Sequence, residues 1–296
     1  MTRKAATELI TLAAPWLFLL LWCGGFTVAK IGFTGAEPFT LLSIRYGAVL
    51  LLILPVYFVR RPDLPATRKQ WLHVAWVGFL IQVVYFGAAW LAMNAGGSAA
   101  TVALITCLQP ILVALSVPYL ANERVSVVRW MGLGLGLMGC VWVIVANDEI
   151  RLLSGAVFGF AVLALLGITI ATVWEKRFGV SHHIVVSSLI QYAVGLVFTL
   201  PIAWFTETMQ VQITPSFLFA LTYLVVCNSI LAISLLLMMI RQGEVTRVTS
   251  LFFLVPPGTA LIALWVLNEP MAPLAWVGML VAVSGVWLVS RTGLAR

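Results

Sequence analysis

The side chains best placed to do chemistry in this chain are neutral. Gln82 and Tyr85 stand three residues apart, so a helix through them puts both on one face, with Phe86 and Ala89 completing it and Trp90 and Asn94 further along. Asn228 lies in a separate apolar stretch, as does Trp174. Carboxamides at Gln82 and Asn228 suit the amino and carboxylate ends of a zwitterion, while Tyr85, Phe86, Trp90 and Trp174 offer apolar faces. Interhelical hydrogen bonding and packing are the structural alternative for the same residues. Gln109 precedes Pro110, and Pro256-Pro257 occupies a comparable place later in the chain. Each proline removes a backbone donor and frees a carbonyl, so these sites are candidate hinges or points where backbone polarity meets a cavity, with Gln109 as a lining residue. A permanent kink is the plainer reading. Glu123 and Glu269 each follow an asparagine in a short turn, a pattern suited to capping the next helix, with a pair of gate latches as the functional alternative.

These residues are set in a chain of 296, of which 62% are hydrophobic and 9% charged, and the mean hydropathy is +1.08. A water-soluble globule is excluded by that balance. The apolar runs are about 20 residues long, the length of a helix that crosses a hydrocarbon layer, and lack the alternation of a barrel strand. An all-α integral membrane protein of ten spans is expected, at roughly 10 to 31, 38 to 59, 71 to 93, 98 to 120, 126 to 146, 153 to 174, 184 to 205, 214 to 239, 245 to 267 and 273 to 290. Arg3 and Lys4 ahead of the first run look like the start of a signal peptide, but no small-x-small site follows before Lys30, so the first helix is expected to be retained. With both termini cytoplasmic, all of the 17 basic residues except Lys30, Arg45 and Arg151 fall on the inner side, as the positive-inside rule requires. Trp71, Trp130 and Trp276 at helix starts suit the headgroup level. Cys23, Cys107, Cys140 and Cys227 lie within apolar runs and are expected to pack as small core residues.

Shifting the chain on itself by 146 residues aligns Lys30 with Lys176, Tyr46 with Tyr192, Pro55 with Pro201 and Pro110 with Pro256. The same shift aligns Asn122-Glu123 with Asn268-Glu269, Gly132 with Gly278, Gly139 with Gly285 and Gln82 with Asn228. Matches among such types at one offset point to an internal repeat, residues 1–147 and 148–296. Five helices per unit make the second unit enter the membrane from the opposite side. Inverted repeats of this kind are the usual architecture of secondary transporters, which expose a midplane site to each side in turn.

The segment Trp22-Cys-Gly-Gly-Phe-Thr-Val-Ala-Lys30 resembles the opening of the EamA-type transporters of the drug/metabolite transporter superfamily. Residues 97–139 resemble that family's fourth and fifth helices, and 243–289 repeat the pattern. The second unit departs from it, with Pro270 after Glu269 where the first has Arg124, and with no Gly-Gly context at Lys176. The resemblance implies an inner-membrane carrier, usually a metabolite exporter, with a cavity lined by helices 1, 3, 4, 6, 8 and 9. Amino-acid exporters, including those for aromatic amino acids, are the most similar members in character. The expected partners are a small-molecule substrate and the bilayer, with a monomer sufficient and neither nucleic acid nor cofactor involved. Nucleosides, drug-like metabolites and lipids are the alternative cargoes.

Arg45 is the one ionisable side chain well inside a predicted span. It suits a substrate carboxylate or a structural anchor on backbone carbonyls, and the peripheral place of helix 2 in the resembling family favours the anchor. No acid lies deep in any predicted span, which argues against a carboxylate proton relay and for facilitated or exchange transport. Gly134-Leu-Gly136-Leu-Met-Gly139 satisfies the dinucleotide pattern but follows no strand, so its glycines are expected to serve helix packing. His73, His182 and His183 form no metal-ligand set and are expected to be solvated. A membrane enzyme would need a catalytic set at membrane depth, and none is evident in the sequence.

Overall fold

The computed structural model describes residues 3–120, 125–146, 154–179, 182–242, 248–267 and 272–291. Among them every regular element is helical. In chain order they are α1 (Arg3–Phe33), α2 (Pro38–Arg60), α3 (Arg68–Asn94), α4 in two pieces (Ala99–Thr106 and Gln109–Leu120) and α5 (Val127–Ala146). They continue with α6 (Gly155–Phe178), α7 (Ile184–Thr206), α8 (Pro215–Arg241), α9 (Ser250–Leu254 as a 3₁₀ turn, then Val255–Leu267) and α10 (Pro273–Arg291). Seven of the described helices are long and apolar enough to cross a membrane, accompanied by shorter apolar helices at Val102–Ser116, Val127–Val143 and Ser250–Thr259. Glu123 and Glu269 lie outside the described residues.

Local chemistry explains where the helices begin. Thr67 and Gln70 form a reciprocal capping box at α3, Ser154 accepts from Val157 N at α6, and Thr214 accepts from Phe217 N ahead of Pro215 at α8. Pro110 falls in the first turn of the second α4 piece, and Pro256 and Pro257 in the first turn of the longer α9 piece. A missing N–H is harmless there, so these prolines start new helical pieces rather than kinking continuous ones.

The burial pattern is that of a molecule bathed in lipid. Phe58, Trp204, Phe205 and Leu280 are exposed, whereas Thr40, Ser43, Gln82, Gln109, Gln191 and Ser229 are buried. α5 and α10 come close enough for backbones to touch. A Cβ at Gly132 would meet Gly285 O at 2.9 Å, and one at Gly278 would meet Gly139 O at 2.9 Å. The contact is reciprocal, since Gly285 in turn faces Gly132 O at 2.6 Å and Gly139 faces Gly278 O at 2.5 Å. Such a self-matching seam is what two-fold related surfaces make.

α3 and α8 each widen into a π-helical segment, Phe79–Tyr85 and Tyr223–Ala232. A tyrosine hydroxyl attends a carbonyl in each: Tyr46 Oη donates to Gln82 O and Tyr192 Oη to Ser229 O, both at 2.6 Å. The two rings meet with centroids 5.6 Å apart where α2 packs on α7. π turns loosen the backbone ladder and recur at functional sites, and these tyrosines hold both of them to one seam.

Candidate functional site

α1, α2, α3 and α8 enclose a narrow cavity lined by Trp22, Gly25 and Phe26, by Arg45, by Tyr85, Phe86, Ala89 and Trp90, and by Leu224 and Asn228. Its free space is about 10 Å³, near the requirement of one water molecule. The walls are aromatic: Trp22 stacks on Tyr85 at 6.0 Å, and Phe86 makes tilted or edge contacts with both Trp22 and Trp90. α8 reaches this close because α1 carries Gly24-Gly25, where a Cβ would meet the Tyr223 hydroxyl or, at 2.5 Å, Asn228 Nδ2. The Gly-Gly of the opening motif therefore makes room for the second π segment.

Arg45 is fully buried at the floor of this space. Its Nε donates to Ser229 Oγ at 2.6 Å and its Nη2 to Asn228 Oδ1 at 2.8 Å, while Nη1 has no partner. The guanidinium carbon stands 4.3 Å from the Phe86 ring centroid and 5.6 Å from that of Trp90. α2 thus meets side chains of α8, not the backbone carbonyls anticipated for an anchoring arginine. The position 146 residues on is Gln191 of α7, also fully buried, with neither carboxamide atom partnered.

Of the residues singled out in the sequence, the structure brings Tyr85, Phe86, Trp90 and Asn228 together around one cavity. Gln82 does not line it: its Cβ lies 2.9 Å from where a Gly195 Cβ would be, in the seam with α7, and its carboxamide is unpartnered. Gln109 also points elsewhere, its Nε2 donating to Thr172 Oγ1 at 3.0 Å and so tying α4 to α6. Trp174 is outside as well, its Nε1 donating to His73 Nδ1 at 3.2 Å while His73 stacks on Phe178. Among the described residues, α4, α6 and α9 supply none of the lining. His73 is therefore packed rather than simply solvated, and His183 accepts from Val185 N to cap α7.

Both ends of the bundle are tied. At one end Glu207 accepts from Phe39 N, Thr40 N and Thr40 Oγ1 at 2.7–2.8 Å, and Glu37 accepts from Thr208 N and Thr208 Oγ1 at 2.6–2.7 Å. Each carboxylate caps backbone of the other half, and Gln212 N donates to Gly35 O beside them. Glu207→Ala uncaps the start of α2 and is expected to cost about 1 kcal/mol, read as a lower unfolding midpoint in detergent; an unchanged midpoint would deny the cap its role. At the opposite end Glu175 of α6, 2% exposed at its side chain, pairs with Arg241 at 2.6 Å. Arg241 also donates to His182 O and Ser187 Oγ. A buried acid thus exists at the end of α6, one residue past the predicted span. Burial first, and then the Arg241 charge, hold the His182 imidazole below its ordinary range.

A helical bundle with an apolar exterior, two tied ends and an enclosed polar and aromatic cavity has the build of a membrane carrier. The chain belongs to the EamA-like transporter family, which matches residues 11–145 and again 155–291. It is 24% identical over 279 residues to an uncharacterized transporter of Archaeoglobus fulgidus, covering 93% of this chain and 95% of that one. It is also 24% identical over 280 residues to the uncharacterized inner membrane transporter YedA of Escherichia coli, covering 94% and 89%. A crystal structure of another protein superposes with a TM-score of 0.75 at 16% identity, covering 94% of this chain and 96% of that one, which shows the shared fold. The chain is accordingly a multi-pass membrane transporter of this family.

Proposed function

We propose that this transporter is a ten-span carrier of two inverted five-helix units, with both termini cytoplasmic, that exports small amphipathic metabolites, amino acids with aromatic or apolar side chains foremost, by alternating access. The observation that carries this reading is the cavity itself: Trp22, Tyr85, Phe86 and Trp90 around Arg45 and Asn228 match a molecule with an apolar body and a polar head. The matched π segments of α3 and α8 and the matched interruptions of α4 and α9 support two units that exchange conformations about the cavity. A metabolite needs hundreds of Å³, so the contracted space corresponds to a closed stage of the cycle. The tied segments at 37–40, the start of α2, and 207–208 are the natural outer latch, and the Arg241 cluster the inner one.

Counterflow in proteoliposomes loaded with unlabelled aromatic, branched or polar amino acids tests the reading. Uptake driven by one class is expected, and Asn228→Ala is expected to raise the half-saturating concentration about tenfold by removing a cavity hydrogen bond and unseating Arg45. Gln82→Ala, outside the cavity, is expected to alter that concentration much less. Flux with nucleosides or lipids and none with any amino acid would replace the assigned cargo.

A further inference from the structure

One charged side chain in the described interior, that of Arg45, has an open hydrogen-bonding edge. Arg45 is fully buried, and Ser229 and Asn228 take up its Nε and Nη2, but no carboxylate among the described residues reaches it and its Nη1 has no hydrogen-bond partner. A guanidinium offers five donors in a rigid planar fork that matches a carboxylate with two parallel hydrogen bonds. Here two adjacent residues of α8 hold one edge of the fork and so set its orientation, leaving Nη1 and the remaining Nη2 hydrogen for another acceptor. Phe86 and Trp90 lie against the guanidinium, and Arg45 lines the same cavity as Trp22 and Tyr85. A cation in hydrocarbon surroundings is costly and is kept where it meets a counter-charge or lines a pathway. No described residue supplies a counter-charge at this point.

We infer that Arg45 is the anion subsite of the carrier, and that the transported molecule bears a carboxylate, received by the free edge of the guanidinium, next to an apolar body received by Trp22, Phe86 and Trp90. The inference rests on the transport reading above and narrows it: a carboxylate is required, whereas an amino group is not. The unpartnered Gln191, which occupies the matching position in the second half, carries no charge, so there is one anion subsite and not two.

The test pairs each acid with the analogue in which an uncharged carboxamide replaces the carboxylate. Counterflow and thermal stabilisation are measured for L-phenylalanine, L-leucine and 3-phenylpropionate, each beside its primary amide, with phenethylamine as the cation lacking a carboxylate. The unaltered protein is expected to favour each acid over its amide by about 10- to 100-fold in half-saturating concentration, with phenethylamine inert. 3-Phenylpropionate, lacking the amino group, is expected to be accepted. Arg45→Gln is expected to erase the difference between acid and amide, and Arg45→Lys, which keeps the charge but loses the fork, to retain part of it. Should Arg45→Gln fail to fold, the unaltered protein and Arg45→Lys decide the matter. Equal use of acids and amides by the unaltered protein, or an acid preference surviving in Arg45→Gln, overturns the assignment of Arg45 and leaves the transport reading standing. No response to any acid, amide or amine overturns both.

Discussion

Gly139→Leu is expected to destabilise the transporter by about 3 kcal/mol, the upper part of the usual range for overpacking. The first added carbon would fall on the Ala282 backbone nitrogen and 2.5 Å from Gly278 O. Both neighbours are backbone, in a helix whose own glycines face α5 at Gly132 and Gly139, so no rotamer change relieves the clash. α5 and α10 would have to separate along the whole seam. Gly134→Leu is the internal control, since a Cβ there meets nothing within 4 Å on the exposed side of the same helix. Unfolding midpoints in detergent should fall sharply for the first and hold for the second. Equal losses would mean that helix propensity, not close approach, keeps the glycines in place.

Arg241→Ala should be comparably damaging, at about 3 kcal/mol, because it strands a buried carboxylate. Glu175 would lose the partner at 2.6 Å, and His182 O and Ser187 Oγ would each lose a donor, so α8 would come away from the α6–α7 turn. Pairing the change with Glu175→Leu should recover most of the loss, since the penalty belongs to the uncompensated charge and not to the missing contact. A double variant as unstable as Arg241→Ala alone would assign the stabilisation to the two hydrogen bonds instead.

Much of the frame was legible in the sequence because lipid imposes a length. The apolar windows at 38 to 59 and 184 to 205 end within a residue of Pro38–Arg60 and Ile184–Thr206. The 146-residue offset was informative for a related reason: Tyr46 with Tyr192, and Gly132 and Gly139 with Gly278 and Gly285, are the residues at which α2 meets α7 and α5 meets α10. The π segments were not legible. Their wider turn changes the angle between successive side chains, and nothing in the composition of Phe79–Tyr85 announces it. The single face drawn through Gln82, Tyr85, Phe86 and Ala89 is divided as a result, with Gln82 turned to α7 and the rest to the cavity. Arg45 stands out in the sequence as a charge within an apolar run, but its hydrogen-bond partners, Asn228 and Ser229 of α8, lie 183 and 184 residues away and no local pattern points to them. The hydrogen bond between Trp174 and His73 is hidden in the same way, since it joins positions 101 residues apart that no local pattern relates.

The mismatch between Arg45 and Gln191 bears on the energetics of the empty protein. Under alternating access by two inverted units, a wholly symmetric carrier would have identical inward-open and outward-open states and would spend equal time in each. In a carrier of that kind, exchanging the two halves would map a guanidinium onto a carboxamide, so the two states would differ in energy before any solute binds. With Arg45 in a membrane span, the resting potential would act on that difference, by about 2.3 kcal/mol per 100 mV for a charge crossing the full field and by a proportionate share for a smaller displacement. If Arg45 is the anion subsite, a monoanion such as 3-phenylpropionate would cancel this charge and the voltage dependence with it, whereas a zwitterionic amino acid would leave both in place.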